Sequence, residues 1–265
     1  MAFWARSIIY NGIPSETFGL MLYDIENYSQ SEGTLGTKIS IVEDRIRRRN
    51  PPIHYGITNN DPLTFKLVMG VTDQEIRLDR YDLAAIAGWL TGHSEYKWLH
   101  ICQPDLELVR YRCLITELRQ IEIGMLPVAF EATVVCDGPY AYHLPWQHSI
   151  VSSGQAEYLC HNPSNVNEYY LPSMVIECPA GTTDISIANA ADPGRSFALA
   201  GLSGTAPRSI AVDGETLAVQ ATDGTDLYEN CSFEFLRLVR GDNLLTVNGA
   251  CTVTLKCEVP MNMGF

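Results

Sequence analysis

The chain has 265 residues, room for one large domain or two of ordinary size. Its 18 Lys and Arg face 31 Asp and Glu, a net charge of −13 that makes it a poor non-specific partner for DNA phosphates or an anionic membrane. A hydrophobic fraction of 46% excludes wholesale disorder. Apolar stretches such as Leu83–Leu90 fall far short of the ~20 residues that span a bilayer, and Met1–Arg6 reaches a charge too soon for a secretory signal. The expectation is a soluble protein, made and folded in a cytoplasm.

In chain order, the first predicted element is a β-prone run, Phe3–Tyr10, followed by an Asn11-Gly12 turn. Phe18–Tyr23 is a second strand candidate. Thr37–Ile46 alternates, which predicts that Ile39, Ile41 and Ile46 are buried. Leu63, Phe65, Leu67 and Met69 alternate with polar Thr64 and Lys66. One helix is predicted after Asp79, with Leu83, Ile86, Ala87 and Leu90 on one face and Gly92 as its stop. Strands resume at Tyr96–Cys102, Leu106–Thr116 and Gln120–Val135, with polar Leu118-Arg119-Gln120 read as a connection.

A boundary is expected near residue 145, giving an N-terminal domain over 1–145 and a C-terminal domain over 146–265. Beyond it lysine shrinks to Lys256 alone, and residues 151–265 hold 5 basic against 13 acidic side chains. Predicted strands there are Gln155–Cys160, Ser173–Glu177, Thr183–Ala188, Ser196–Leu199, Ser209–Asp213, Thr216–Gln220, Cys231–Leu238, Asn243–Val247 and Ala250–Val259. The last two are read as a hairpin closed by Asn248-Gly249, because both residues tolerate φ > 0. Many short strands with no helical pattern argue for a β-sandwich.

Eight cysteines form no CxxC pair and no zinc spacing. Cys251, Val253, Leu255 and Cys257 share one face at strand period, so these thiols read as small hydrophobes. Cys160-His161, with His143 and His148 nearby, is the loosest metal-like grouping and matches no ligand motif. No nucleophile elbow occurs; Gly201-Leu202-Ser203-Gly204 comes near and lacks the spacing. No phosphate-cradling glycine loop occurs either. Carboxylates are plentiful, but an acidic surface accounts for them without a glycosidase pair. The expectation is a protein without catalytic, cofactor-binding or metal-binding residues.

The one basic concentration is Arg45-Ile46-Arg47-Arg48-Arg49. Three readings stand open: a protein–protein contact, solvated surface, and a phosphate grip that the net charge disfavours. Arg45, Arg47, Arg48 and Arg49 are thus the candidate subunit-interface residues. If the segment is extended, Arg45, Arg47 and Arg49 project from one face.

The ordered set of features resembles the distal tail protein (Dit) family of siphophages. It consists of the opening strand into Asn11-Gly12 and Phe18-Gly19-Leu20, the arginine-rich stretch, and the helix ending in Trp89-Leu90. Phe130–Tyr140 and Phe235–Val247 complete it. The resemblance implies a mainly β fold with two domains. The first is a split-β-barrel-like domain with one helix and an arm or belt hairpin, near Thr37–Asn60 by position. The second is a galectin-like β-sandwich.

It also implies a structural virion protein at the distal end of the phage tail, synthesised in the bacterial host's cytoplasm. Such a protein forms a homohexameric hub ring between tail tube and baseplate, and its rings can stack. The implied partners are the major tail-tube, tape-measure, tail-associated lysin and receptor-binding proteins. DNA passes through the channel without being specifically bound, no membrane insertion is expected, and no cofactor is carried over. The alternatives are a carbohydrate-binding module for attachment to the host cell wall and a glycoside hydrolase. Against sugar binding, all four Trp precede residue 151, and Phe197, Phe233 and Phe235 lie in strand patterns that read as core.

Overall fold

The computed structural model describes residues 5–23, 39–58, 61–72, 78–123, 126–202 and 206–263. Phe3, Trp4, Thr37 and Ser203-Gly204, parts of expected elements, lie outside them. No helix among the described residues is long and apolar enough to cross a membrane. The chain divides into two compact units, Met1–Tyr142 with Met261–Phe265, and His143–Pro260.

The first unit opens with β1 (Ile8–Tyr10) and β2 (Ile13–Pro14), joined by Asn11 at φ 51° and Gly12 at φ 77°. Two positive φ values in a two-residue loop match the strand twist, as the Asn-Gly pair predicts. β3 (Leu20–Leu22) follows, and then β4 (Ser40–Asp44) and β5 (Ile53–Thr58), which among the described residues pair only with each other. β6 (Thr64–Val71) buries Phe65, Leu67 and Met69 on alternate positions, as its pattern predicts.

Helix α1 (Arg80–Thr91) starts where the cap predicts. Asp79 accepts from the amides of Tyr81 (2.7 Å) and Asp82 (2.9 Å), and Asp82 returns the bond to the Asp79 amide (2.9 Å). It ends at Gly92, where a Cβ would stand 2.4 Å from the Gly88 carbonyl oxygen. Ile86 and Leu90 enter the core and Leu83 packs against it. The buried side also takes Trp89, outside the expected stripe; it stacks on Phe18 (4.7 Å) and donates to the Tyr10 carbonyl (3.1 Å).

β7 (Lys97–Ile101), β8 (Val109–Ile123) and β9 (Leu126–Cys136) complete the sheet, ordered β2-β1-β7-β8-β9-β6-β3. β10 (Ala141–His143) joins β8 along the same sheet. Leu118-Arg119-Gln120 is not a connection: β8 runs through it. The register shifts between Ile115 and Glu117, and Arg119 pairs with Glu117 on the exposed side at 2.9 Å. A bulge in a solvent-facing stretch interrupts the alternation without ending the strand.

The second unit is built on two 17-residue strands, β11 (Trp146–Asn162) and, near its end, β17 (Gly241–Cys257). They pair antiparallel along their whole length. Between them come β12 (Ser173–Cys178), β13 (Ile185–Asn189), β14 (Ser196–Leu199), β15 (Arg208–Val212) and β16 (Val219–Ala221); β18 (Pro260–Met261) follows β17 and pairs with β10. The expected Asn248-Gly249 hairpin is overturned, because both residues lie inside β17 opposite Gln155 and Gly154. The positive φ that suggested a turn is present at Gly249 (99°), but it serves a bend. A Cβ there would meet the Asp184 carbonyl oxygen at 2.4 Å, so the close approach itself demands glycine.

The bend folds the ribbon over. Residues 148 and 158 of one extended strand would stand about 33 Å apart, yet the rings of His148 and Tyr158 stack at 3.9 Å. The early half of β17 pairs with β13, and β14 lies beyond it. The late half pairs with β12, followed by β15 and β16. These two layers enclose one core in which Leu245, Val247, Val253 and Leu255 are buried among Met174, Ile187, Phe197 and Ile210. The result is a β-sandwich whose layers share two bent strands.

Cys231–Leu238, expected as a strand, is irregular and makes only isolated bridges at Cys231 and Leu238. Phe233 at φ 56° breaks the extension. Its side chain turns outward, against expectation, while Phe197 and Phe235 are buried as expected.

Candidate subunit interface

The β4–β5 hairpin has no further sheet neighbour among the described residues. Ser40 faces Thr58, Ile41 faces Ile57, and a register shift falls between Val42 and Glu43. Gly56 takes φ 133° at that irregularity. Every residue of β4 is exposed. The alternation predicts burial of Ile39, Ile41 and Ile46; all three are exposed instead, Ile41 by 63%. Ile57 (59%) and Tyr55 (64%) join them. The alternation that predicted a buried face is real, but this chain supplies nothing to cover it among the described residues. A two-stranded hairpin is marginal in water without such cover, and exposed apolar residues gathered on one element mark a contact surface.

All four arginines named from the sequence lie at the tip between the two strands, and all are exposed. The tip is a turn rather than an extended run. Arg48 sits at φ 70° and the Arg49 amide donates to the Ile46 carbonyl at 3.0 Å. The expected single face of Arg45, Arg47 and Arg49 therefore does not form. Arg45 pairs with Glu43 at 3.1 Å, an exposed contact worth under about 1 kcal/mol. Among the described residues no ion pair engages Arg47, Arg48 or Arg49. The structure thus joins a cationic tip to two apolar-bearing strands. Sequence reasoning singled out the arginines but missed Ile57 and Tyr55, although the run Ile53–Ile57 carries a β-prone composition that could have exposed the second strand.

The loose metal-like grouping disperses. Cys160 is buried in the sandwich core, His161 bonds Asp242 at 2.7 Å on the outside, His148 stacks on Tyr158, and His143 bonds the Leu144 carbonyl at 2.8 Å. Among the described residues no group of three His, Cys, Asp or Glu converges. Burial pushes the Cys160 and Cys251 thiols up to about 11 and Cys136 to about 12, so they stay protonated at neutral pH. Protonated buried thiols are apolar filler, as the strand pattern of Cys251 and Cys257 predicts.

In the sandwich, Arg237 crosses from the irregular segment to Asp192 beyond β13. Its Nε and Nη2 donate to the two carboxylate oxygens at 2.7 Å each, and its guanidinium lies 3.9 Å from the Tyr169 ring centre. The hydrogen bonds from Arg237 hold the Asp192 carboxyl below the usual carboxylate range.

Comparison with known proteins places these features in context. Residues 3–138 match the model of a phage tail protein N-terminal domain, and residues 140–257 match a phage tail C-terminal domain. No curated protein matches the chain. Among solved structures, the chain is similar in fold to the Dit protein (gp 19.1) of phage SPP1, described as a hub of the adsorption apparatus in phages infecting Gram-positive bacteria. The TM-score is 0.68 at 11% identity, over 96% of this chain and 98% of that one. A chain of the phage p2 baseplate in its activated conformation is also similar, with TM-score 0.51, 10% identity and coverage of 96% and 98%.

Proposed function

Since the chain belongs to the phage tail proteins, we propose that it is a structural subunit of a homohexameric hub ring at the distal end of the tail. One observation carries this reading: the β4–β5 hairpin exposes an apolar face that nothing among the described residues covers. In a ring, each copy's hairpin lies against the next copy, which covers Ile41, Tyr55 and Ile57. The sides of a closed ring repeat one heterologous contact, so one protruding arm per copy closes it. The fold shared with the SPP1 Dit protein over nearly the whole of both chains supports the assignment.

In this reading the ring joins the tail tube, tape-measure and tail-associated lysin proteins to the receptor-binding parts of the baseplate. Its role is structural rather than catalytic. DNA crosses a central channel, and a chain of net charge −13 lets it pass without gripping phosphate. Arg45, Arg47, Arg48 and Arg49 belong to the contact between copies.

Light scattering with class-averaged electron micrographs tests this. The expected result is a mass of about six subunits and a ring in top view. A monomer at every concentration overturns the ring, and a strongly basic lumen overturns the passage of DNA.

A further inference from the structure

The sandwich carries an aromatic surface that its core does not use. Phe233 is held at φ 56°, a backbone region that a bulky side chain occupies only when its surroundings enforce it. The enforcement is local. The Ser232 amide donates to the Ala198 carbonyl (2.9 Å), the Ser232 hydroxyl accepts from the Ala198 amide (3.0 Å), and the Phe233 amide donates to Cys231 Sγ (3.4 Å). Phe235 thereby enters the core and Phe233 is turned out of it, 41% exposed.

Outside, Phe233 meets Tyr228, which is 72% exposed; the ring centres are 4.9 Å apart and the planes cross at 54°. Tyr228 is fixed by its amide's bond to Asp226 Oδ1 at 2.9 Å. Asp226 and Glu229, both exposed, flank Tyr228 along the chain, and exposed Glu234 follows Phe233, one of its oxygens accepting from the Ser196 amide at 3.2 Å.

Exposed rings edged with carboxylates match one chemistry well. A guanidinium is planar and weakly hydrated, so it stacks on an aromatic face while its N–H groups bond carboxylates. Two arginines of this chain already lie on rings: Arg110 sits 3.6 Å from the Trp98 ring centre, and Arg237 covers Tyr169 while gripping Asp192. The only run of closely spaced arginines in the sequence is the exposed hairpin tip, Arg45 to Arg49. Tip and patch are thus complementary in charge and in contact chemistry.

We propose that the Tyr228–Phe233 patch receives the arginine tip of the β4–β5 hairpin from a second copy of this chain. The proposal rests on the ring reading and names the acceptor that reading leaves open. The hairpin's apolar sides supply burial, and the tip in its aromatic and acidic seat fixes how far along the neighbour the arm lies.

Sedimentation equilibrium of the full chain over a concentration series tests it, with thermal unfolding to check each variant's fold. Tyr228→Ala is expected to weaken association about tenfold. Glu229→Lys with Glu234→Lys should weaken it further, as should Arg47→Glu with Arg48→Glu and Arg49→Glu. Combining the two charge reversals should restore association, a result that simple damage to either site cannot produce.

Patch variants that associate like the unmodified chain, or a combined reversal that fails to recover, overturn the seat while the ring stands. Arginine reversals without effect take the tip out of the contact and so refute the seat, whereas an unmodified chain that stays monomeric overturns the ring reading as well. If the patch instead binds cell-wall glycan, and Tyr228→Ala abolishes that binding without changing association, the surface serves attachment and the seat is refuted.

Discussion

Two antiparallel ribbons of this chain begin alike and end differently. Both β4–β5 and β11–β17 carry alternating apolar residues, and both contain a glycine at positive φ, Gly56 in one and Gly249 in the other. The long ribbon bends at Gly249, accepts β12 and β13 along one edge, and buries its inward side chains in a core it helps to enclose. The short ribbon recruits no third strand among the described residues and leaves Ile41, Tyr55 and Ile57 in solvent. Alternation alone therefore specifies that a face is to be covered; neighbouring strands decide whether the same chain covers it.

The sharpest way to break this contrast is at the two glycines. Gly249→Ala forces a Cβ against the Asp184 carbonyl in a left-handed backbone, and should lower stability to urea by about 4 kcal/mol. Gly56→Ala also strains its backbone, but nothing lies within 4 Å and neither core includes it. Global stability should therefore stay within about 0.5 kcal/mol. Equal losses at both sites would show that the hairpin belongs to a cooperative core.

A second test concerns the sandwich alone. Arg237→Met strips a buried carboxylate of its bidentate partner, leaving Arg195 at 3.9 Å, and should lower stability at neutral pH. The sign of the pH dependence follows from the depressed Asp192 carboxyl. Its contribution is fully present above the ordinary value of 3.8 and is lost as pH falls below that, towards the folded-state value. Urea titrations at several pH values should show the gap between the two proteins narrowing in that window. A constant gap would mean that Arg237 acts through packing on Tyr169 instead.

The smallest expected effect on the monomer is at the hairpin's apolar sides. Ile41→Ser with Ile57→Ser should leave thermal stability unchanged within about 0.5 kcal/mol, while ring mass by light scattering falls. Lost folding stability with unchanged mass would reverse the roles assigned to the two ribbons.

Much of the fold was legible because local chemistry and tertiary outcome agree. Asp79 caps α1, Asn11-Gly12 turns the first hairpin, and Phe65, Leu67 and Met69 face inward because each preference is satisfied within a few residues. The misreadings share a cause. Asn248-Gly249 carries the conformational freedom of a turn, yet the approach of Asp184 uses it for a bend. Cys231–Leu238 alternates like a strand, but the Ser232 hydroxyl, accepting from the Ala198 amide, and the left-handed Phe233 break its extension. Leu118–Gln120 looks like a break because a bulge and an exposed face interrupt the pattern together.

The candidate interface divides in the same way. Arginine density marked the tip from sequence, since four guanidinium groups within five positions stand out from a −13 chain. The arrangement of that tip and the apolar strands below it depended on the turn at Arg48 and on the lack of a third strand among the described residues.

By itself the sequence determined that this protein is mainly β, acidic but for one arginine cluster, provided with one capped helix, and free of a recognisable catalytic motif. These follow from periodicity, charge and local hydrogen bonding, which act over a few residues. Only the tertiary structure decided which alternating face is buried and which waits for another surface, where a flexible glycine turns the chain and where it merely bends it, and which phenylalanine leaves the core. Those outcomes depend on the approach of residues far apart in the chain or at opposite ends of one strand, such as Gly249 with Asp184 and His148 with Tyr158. No local pattern encodes such distances.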